Sequence, residues 1–250
     1  MIRAARALRR RVGGERGFTL AEMLVTIVLI GLLSTMVVAL VSNVARSFTW
    51  DRAATDNTRI ASAGMNELTR VIRSGTETRV SASQPLNNPV FLAVTRESMV
   101  LRAYLDADAT NPAPIVVRFE VNADRKLYEK RWKANTASAP YWTFAALPGG
   151  LSGPYSNSSS YWTGYSYNRM IAQKITAPAA GGPVLFRYFT KDGAEVTVGS
   201  SGVTDPAVLR TIAMVRVTMS VQSDRTGRVD PVVIQNSVGI PNLGISRVGL

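Results

Sequence analysis

The stretch GFTLAEMLVTIVLIGLLSTMVVALVSNVA, residues 17–45, decides the architecture of this 250-residue chain. From Met23 to Ala45 it runs for 23 residues without a charged side chain. At about 1.5 Å per residue, a helix of that length spans about 34 Å, slightly more than the ~30 Å hydrocarbon core of a bilayer. The stretch therefore predicts one membrane-spanning helix.

The residues that precede the apolar stretch are strongly basic. Residues 1–17 hold six arginines and one glutamate, a net charge of +5 within a whole-chain charge of +12. The arginines closest to the apolar run are Arg9, Arg10, Arg11 and Arg16. Because positively charged flanks remain in the cytoplasm, we expect a single-pass protein of the cytoplasmic (inner) membrane with a cytoplasmic N-terminus and an extracytoplasmic C-terminal domain.

Two other interpretations of the stretch fit less well. A cleavable secretory signal has an apolar region of about 7–15 residues that ends at a small-x-small site. Here the run is longer, and Ala45 is preceded at the −3 position by Asn43. A buried core helix seldom stays uncharged over such a length behind an arginine cluster. Glu22, at the start of the run, either faces a partner or lies at headgroup depth in contact with water.

Composition excludes most catalytic machinery. The chain contains no cysteine and no histidine, so it lacks disulfides and the thiolate and imidazole groups of most metal sites and nucleophile–base pairs. We therefore expect no enzyme, no metal and no cofactor.

The motif GFTLAEMLV, residues 17–25, resembles the N-terminal processing signal of type IV prepilins and type II secretion pseudopilins. The resemblance implies that a prepilin peptidase cleaves between Gly17 and Phe18 and methylates the new amino group of Phe18. It also implies that the helix packs against those of other pilins or pseudopilins, with an assembly platform membrane protein and an ATPase as indirect partners. The basic leader, residues 1–17, would be removed on maturation.

Cleavage would create a cationic amine on Phe18 close to the Glu22 carboxylate. Either charge is costly if it stays unpaired among apolar helices. The resemblance implies that Glu22 of an incoming subunit neutralises Phe18 of a neighbour during assembly. The i, i+4 spacing also permits a contact within one chain, and both arrangements stay open.

The chain beyond the apolar run predicts an α+β fold. A long N-terminal helix, membrane-spanning over 18–45 and amphipathic over 46–74, packs on a mostly antiparallel β-sheet domain over 75–250. The helix should stop at Ser74-Gly75. Alternating apolar residues predict strands at 98–105, 115–121, 125–132, 184–190, 211–222 and 232–240. Length and strand order resemble the larger minor pilins of the W kind and J-type pseudopilins, and the absence of a proline before Pro85 favours a minor subunit.

An insertion at residues 133–183 is rich in aromatic residues and poor in charge. Nine of the nineteen aromatic residues lie between Trp132 and Tyr167, and residues 134–168 carry no charged side chain. One interpretation is a recognition surface for a ligand such as a sugar; the other is a set of rings that covers the sheet. The rings considered for recognition are Trp142, Tyr161, Trp162 and Tyr165. The absence of Lys and Arg from residues 134–168 argues against direct binding of nucleic acid by this insertion. We expect a nucleic-acid partner only through a competence filament.

Two classes of function follow. The first is a minor structural subunit that primes or tips a type IV pilus on the cell surface, or that serves a type II secretion or DNA-uptake pseudopilus. The second is a single-pass, membrane-anchored extracytoplasmic protein that binds a ligand through its aromatic insertion.

Overall fold

A computed structural model describes residues 17–79, 87–105, 113–135, 141–150, 153–178, 182–223 and 230–243. The leader arginines Arg9, Arg10, Arg11 and Arg16 lie outside these residues. By internal contacts the chain divides into two units, Met1–Trp50 and Asp51–Leu250. We call the second unit the domain.

Helix α1 runs from Leu20 to Arg73, so the amphipathic half predicted for residues 46–74 continues the apolar half without a break. It ends where the sequence predicted, because Gly75 turns back to donate its N–H to the carbonyl of Ile72 at 3.0 Å. A Cβ at position 75 would lie 2.9 Å from that same carbonyl oxygen, which explains why glycine stands there.

Five strands form the first sheet of the domain, in the spatial order β1-β2-β3-β4-β5 with all neighbours antiparallel. Their bounds are β1 Phe91–Val94, β2 Ser98–Ala103, β3 Ile115–Val121, β4 Leu127–Lys133 and β5 Tyr167–Ala172. The central strands β2 and β3 are buried on both faces.

Four strands form the second sheet, also antiparallel, in the order β7-β6-β8-β9. Their bounds are β6 Phe186–Thr190, β7 Glu195–Val196, β8 Ile212–Val221 and β9 Val232–Gly239, and a short helix α2, Pro206–Leu209, precedes β8. In β8 the alternate residues Val215, Val217, Met219 and Val221 are fully buried, as their spacing predicted.

The main core lies between the second half of α1 and one face of each sheet. Helix residues Ala61, Met65, Leu68 and Ile72 join one buried cluster with the inward residues of β2, β3, β6 and β8. The predicted α+β class, a long helix packed on antiparallel sheets, is therefore confirmed.

All six predicted strands are present, 115–121 with the predicted bounds and the other five with slightly different ones, but the sequence analysis missed β1, β5 and β7. Strand β1 has four residues and is buried throughout, so it shows no alternation. Strand β7 has only two residues. Strand β5 lies inside the insertion 133–183 and is a largely exposed edge strand, so its residues carry little apolar pattern.

Gly64 sets the distance between α1 and the two sheets. A Cβ built at this position would lie 3.0 Å from the Cβ of Ala172 in β5 and 3.0 Å from the side chain of Met219 in β8. Both contacts are closer than ordinary van der Waals separation. The helix therefore comes into contact with both sheets at Gly64, a position that has no side chain.

An ion-pair network fixes the same face of α1 to the edge of the first sheet. Arg169 of β5 contacts Glu67 of the helix at 2.5 Å and Glu129 of β4 at 2.8 Å. Arg131 contacts Glu129 at 2.6 Å, and Arg70 contacts Glu67 at 2.6 Å. Glu129 is fully buried, so its two arginines offset a desolvation cost that would otherwise be several kcal/mol.

Gly64→Leu is expected to destabilise the domain by about 1–3 kcal/mol, because the new side chain must push α1 away from Ala172 and Met219. Chemical unfolding of the full chain in detergent, followed by tryptophan fluorescence, measures this. Ala63→Leu is the matched control, since Ala63 is exposed on the neighbouring helix position. Equal stability of the two variants would contradict the close approach.

The Glu67 carboxylate should make stability depend on acid pH. Burial raises its pKa, but Arg70 and Arg169 lower it more, so the pKa of Glu67 lies below its ordinary value of 4.5. A depressed carboxyl pKa contributes stability that is complete above about pH 4.5 and is lost as the pH falls through the lower folded value.

We expect Glu67→Gln to be less stable than the unsubstituted chain at pH 7 and to lose stability less steeply below pH 4.5. Unfolding free energies measured from pH 7 to pH 3 check this. Glu195→Gln, which removes an exposed pair with Arg187, is the control and should change the slope less. An unchanged slope in Glu67→Gln would rule out the network as its source.

Candidate processing and assembly site

The Gly17–Phe18 peptide bond lies in the irregular segment just before α1. Among the described residues other than its chain neighbours, no heavy atom lies within 4 Å of the position where a Gly17 side chain would begin, and Phe18 is 81% exposed. Glycine adds no side chain that would obstruct the approach of a protease to this bond. In the described part of the chain, both predicted processing residues are exposed.

Thr19 and Glu22 close the first turn of α1 as a capping box. The Thr19 backbone N–H donates to Glu22 Oε2 at 3.0 Å, and the Thr19 hydroxyl donates to the same oxygen at 3.1 Å. In return, the Glu22 backbone N–H donates to the Thr19 hydroxyl oxygen at 3.3 Å. Two otherwise unpaired N–H groups are thereby satisfied at the helix start. Glu22 thus has a hydrogen-bond partner within its own chain, and this partner, Thr19, is the residue that follows Phe18.

The first part of α1 exposes an apolar surface on every side. From Leu20 to Trp50, every residue but the half-buried Ser42 is exposed. The helix is long and apolar enough to cross a membrane by length and composition, and no residue of its most apolar 18-residue window is buried. A core helix of the same composition would be covered by its own fold. This surface therefore requires a partner outside the described chain.

Comparison with known protein families gives one match, to the prokaryotic N-terminal methylation motif, over residues 13–38. The chain carries this methylation motif. The match includes Gly17, Phe18, Glu22 and the first half of the exposed apolar helix. No curated protein matches the chain.

The methylation motif supports a type IV pilin-like or pseudopilin precursor that is a substrate of prepilin peptidase. The pilin-like family that carries this motif is structural. The motif and the apolar helix are together consistent with single-pass anchoring in the inner membrane. The match ends at residue 38, so it says nothing of the domain.

The aromatic insertion covers the outer face of the first sheet. Trp142 is 4% exposed and Trp162 is 1% exposed, and both belong to a second buried cluster with Val100, Val116 and Trp132. The indole N–H of Trp162 donates to the carbonyl of Ser156 at 2.7 Å. These two rings are therefore part of the interior, as the sheet-covering interpretation expects, and cannot stack on an external ligand in this conformation.

The other two rings considered for recognition lie nearer the surface. Tyr161 is half-buried, packs edge-on against Trp162 at 5.2 Å between ring centroids, and donates its hydroxyl to the carbonyl of Pro154 at 2.7 Å. Tyr165 is 40% exposed and has the Lys130 ammonium 5.1 Å from its centroid. The structure therefore leaves Tyr165 as the most accessible of the four and does not bring them together as one open platform.

A buried ion cluster under the insertion was not predicted from the sequence. Arg118 donates to Glu120 at 2.6 Å, and its guanidinium lies 5.4 Å from the centroid of Trp162. Glu120 also pairs with Lys130 and accepts from Ser159 at 3.1 Å. Burial raises the pKa of Glu120, but Lys130 and Arg118 outweigh it and hold the pKa below its ordinary value. In the sequence, Arg118 and Glu120 alternate with apolar residues and so predict a solvent-facing side of β3.

Trp162→Ala is expected to destabilise the domain by about 3–5 kcal/mol, because it leaves a large cavity and uncovers Arg118. Tyr165→Ala, from the same insertion, should cost far less because that ring is partly in solvent. Thermal unfolding by circular dichroism measures both. A ligand-recognition role for Trp162 would instead leave stability nearly unchanged.

Proposed function

We propose that this chain is the precursor of a minor pilin-like structural subunit. Prepilin peptidase cleaves between Gly17 and Phe18 and methylates Phe18, and the mature helix then packs with those of other subunits into a type IV pilus or pseudopilus. The observation that carries the proposal is the methylation motif at residues 13–38, placed at the start of a helix whose apolar surface is uncovered.

The domain supports a minor role in that machinery. Its length and strand order resemble those of the larger minor pilins of the W kind and the J-type pseudopilins, and α1 contains no proline. A priming or tip position fits such a subunit. Pilus, type II secretion and DNA-uptake machines share these features, so the proposal includes all three.

Charge pairing between Glu22 and Phe18 is the proposed assembly step. Methylation leaves the Phe18 amine cationic, and an apolar helix bundle makes an unpaired cation or carboxylate expensive. A neighbouring Phe18 amine satisfies both charges at once. The capping box also keeps the Glu22 side chain at the helix start, where an incoming amine would meet it.

Cleavage is tested by the intact mass and N-terminal peptide of the protein from membranes and from sheared surface material. In cells with the peptidase we expect a chain that begins at N-methylated Phe18; without the peptidase we expect the leader to be retained. A chain cut near Ala45, or one that keeps residues 1–17 in both strains, would overturn the proposal. It would leave an anchored or secreted domain with Tyr165 as the accessible ring of the insertion.

Two variants separate the charge of Glu22 from its capping role. Glu22→Gln keeps an acceptor for the Thr19 N–H but removes the negative charge, whereas Thr19→Ala removes the capping hydroxyl and keeps the carboxylate. We expect Glu22→Gln to be cleaved normally and to be lost from filaments. Thr19→Ala destabilises the start of the helix by about 1 kcal/mol. It should be incorporated into filaments in larger amount than Glu22→Gln.

The readout is the ratio of filament-associated to membrane-associated mature chain. If Thr19→Ala is lost from filaments while Glu22→Gln is incorporated, Glu22 acts as a cap, and charge pairing is wrong. If both variants behave like the unsubstituted chain, the N-terminus only tethers the domain.

A further inference from the structure

Two large aromatic side chains stand exposed where the uncharged run of α1 ends. Phe48 is 62% exposed and Trp50 is 46% exposed. They follow Arg46, the first charged residue after Ala45, and precede Asp51 and Arg52. In contrast, Met65, Leu68, Val71 and Ile72, farther along the same helix, are buried. The apolar area of Phe48 and Trp50 is thus left without a partner in the described chain.

The spacing of these residues distributes them around the helix at one level. Positions 46 and 50 are four residues apart and share a face, while position 48 lies about 200° further round from position 46. The three Cα atoms fall within about 6 Å along the helix axis. Arg46, Phe48 and Trp50 therefore form a narrow band, which we call the aromatic band.

A band of this composition matches the chemistry of the membrane–water interface. Tryptophan has an apolar body with one polar N–H, and it concentrates at headgroup depth. Arginine buries its methylene stem in the hydrocarbon region while its guanidinium reaches phosphate groups. The band begins one residue after the uncharged run, where a spanning helix leaves the hydrocarbon layer.

We propose that Arg46, Phe48 and Trp50 bind the phospholipid headgroup layer on the extracytoplasmic side and fix the depth of α1 in the membrane before assembly. The inference rests on the membrane insertion contained in the proposed function. Its partner is lipid, and not the helix of a neighbouring subunit.

A fixed outer boundary has a consequence for the processing site. From Leu20, where α1 begins, to Ala45 there are 26 residues, about 39 Å of helix, against a hydrocarbon core of about 30 Å. With the aromatic band at the outer surface, about 9 Å of helix extends past the inner boundary of the core. The Gly17–Phe18 bond and Glu22 are then held at the cytoplasmic headgroup layer, outside the hydrocarbon.

Tryptophan fluorescence with brominated lipids tests the depth of Trp50. The full-length precursor is purified without the peptidase and reconstituted into phosphatidylcholine–phosphatidylglycerol vesicles. Bromine, a quencher, is placed either near the headgroup end or near the middle of the acyl chains. The other three tryptophans, Trp132, Trp142 and Trp162, are buried in the domain at 1–4% exposure, so they supply a background that lipid bromine does not quench.

Trp50→Phe is the matched control, because it removes the reporter and keeps an aromatic ring. We expect the unsubstituted precursor to lose emission with shallow bromine, to lose less with deep bromine, and Trp50→Phe to lose none with either. If shallow bromine removes no more emission from the unsubstituted precursor than from Trp50→Phe, the inference is overturned. Stronger quenching by deep than by shallow bromine also overturns it, since Trp50 would then lie within the hydrocarbon.

A shift of Trp50 emission that requires assembled filaments, with no quenching in vesicles, overturns the lipid assignment in favour of contact between subunits. Peptidase added to the same vesicles separates this inference from the proposed function. Normal lipid quenching with no cleavage at Gly17 keeps the aromatic band and rejects the processing step. Normal cleavage without quenching does the reverse.

Discussion

The two halves of helix α1 must bury their side chains in different surroundings, one outside the described chain and one inside the domain. The rest of this structure depends on that requirement. A helix satisfies its own N–H and C=O groups, so its stability in either surrounding is decided by what covers its side chains. The residues up to Trp50 are uncovered by the described chain, whereas those from Ala61 to Ile72 form the centre of the domain core. The domain is therefore built around a helix whose other half cannot be satisfied by the domain.

Several kinds of contact hold the second half of α1 against the two sheets of the domain. Gly64 lets the helix touch β5 and β8 together, and one turn later Glu67 joins arginines of the first sheet. Tyr188 links the two sheets, because its buried hydroxyl donates to the carbonyl of Thr95 at 2.9 Å. Apolar contact, a close backbone approach and paired charges thus act on the same short segment.

The sequence predicted the fold class because the two signals on which it rests are local. An uncharged run of 23 residues and the alternation in β8 need no knowledge of distant residues. The processing residues were predicted from a signal that is also local, since Gly17, Phe18 and Glu22 lie within six residues. Burial by a distant segment gave no local signal. Arg118 and Glu120 resemble a solvent-facing row until the insertion covers them, and Trp162 resembles a surface ring until Val116 and Trp132 enclose it.

The capping box has a further meaning for the order of events in the proposed assembly. In the precursor, the nitrogen of Phe18 is a neutral peptide N–H, and it cannot compete with the two Thr19 donors already on Glu22. Cleavage turns that nitrogen into a cation, and a cation adds direct charge attraction to the hydrogen bond that it donates to a carboxylate. Before maturation the Glu22 carboxylate therefore accepts only from Thr19. After maturation the cationic amine of Phe18 competes with Thr19 for it. Removal of the leader would allow Glu22 to exchange Thr19 of its own chain for the Phe18 amine of a neighbouring subunit. Unprocessed chains in the same membrane would lack that amine and would be left out of the filament.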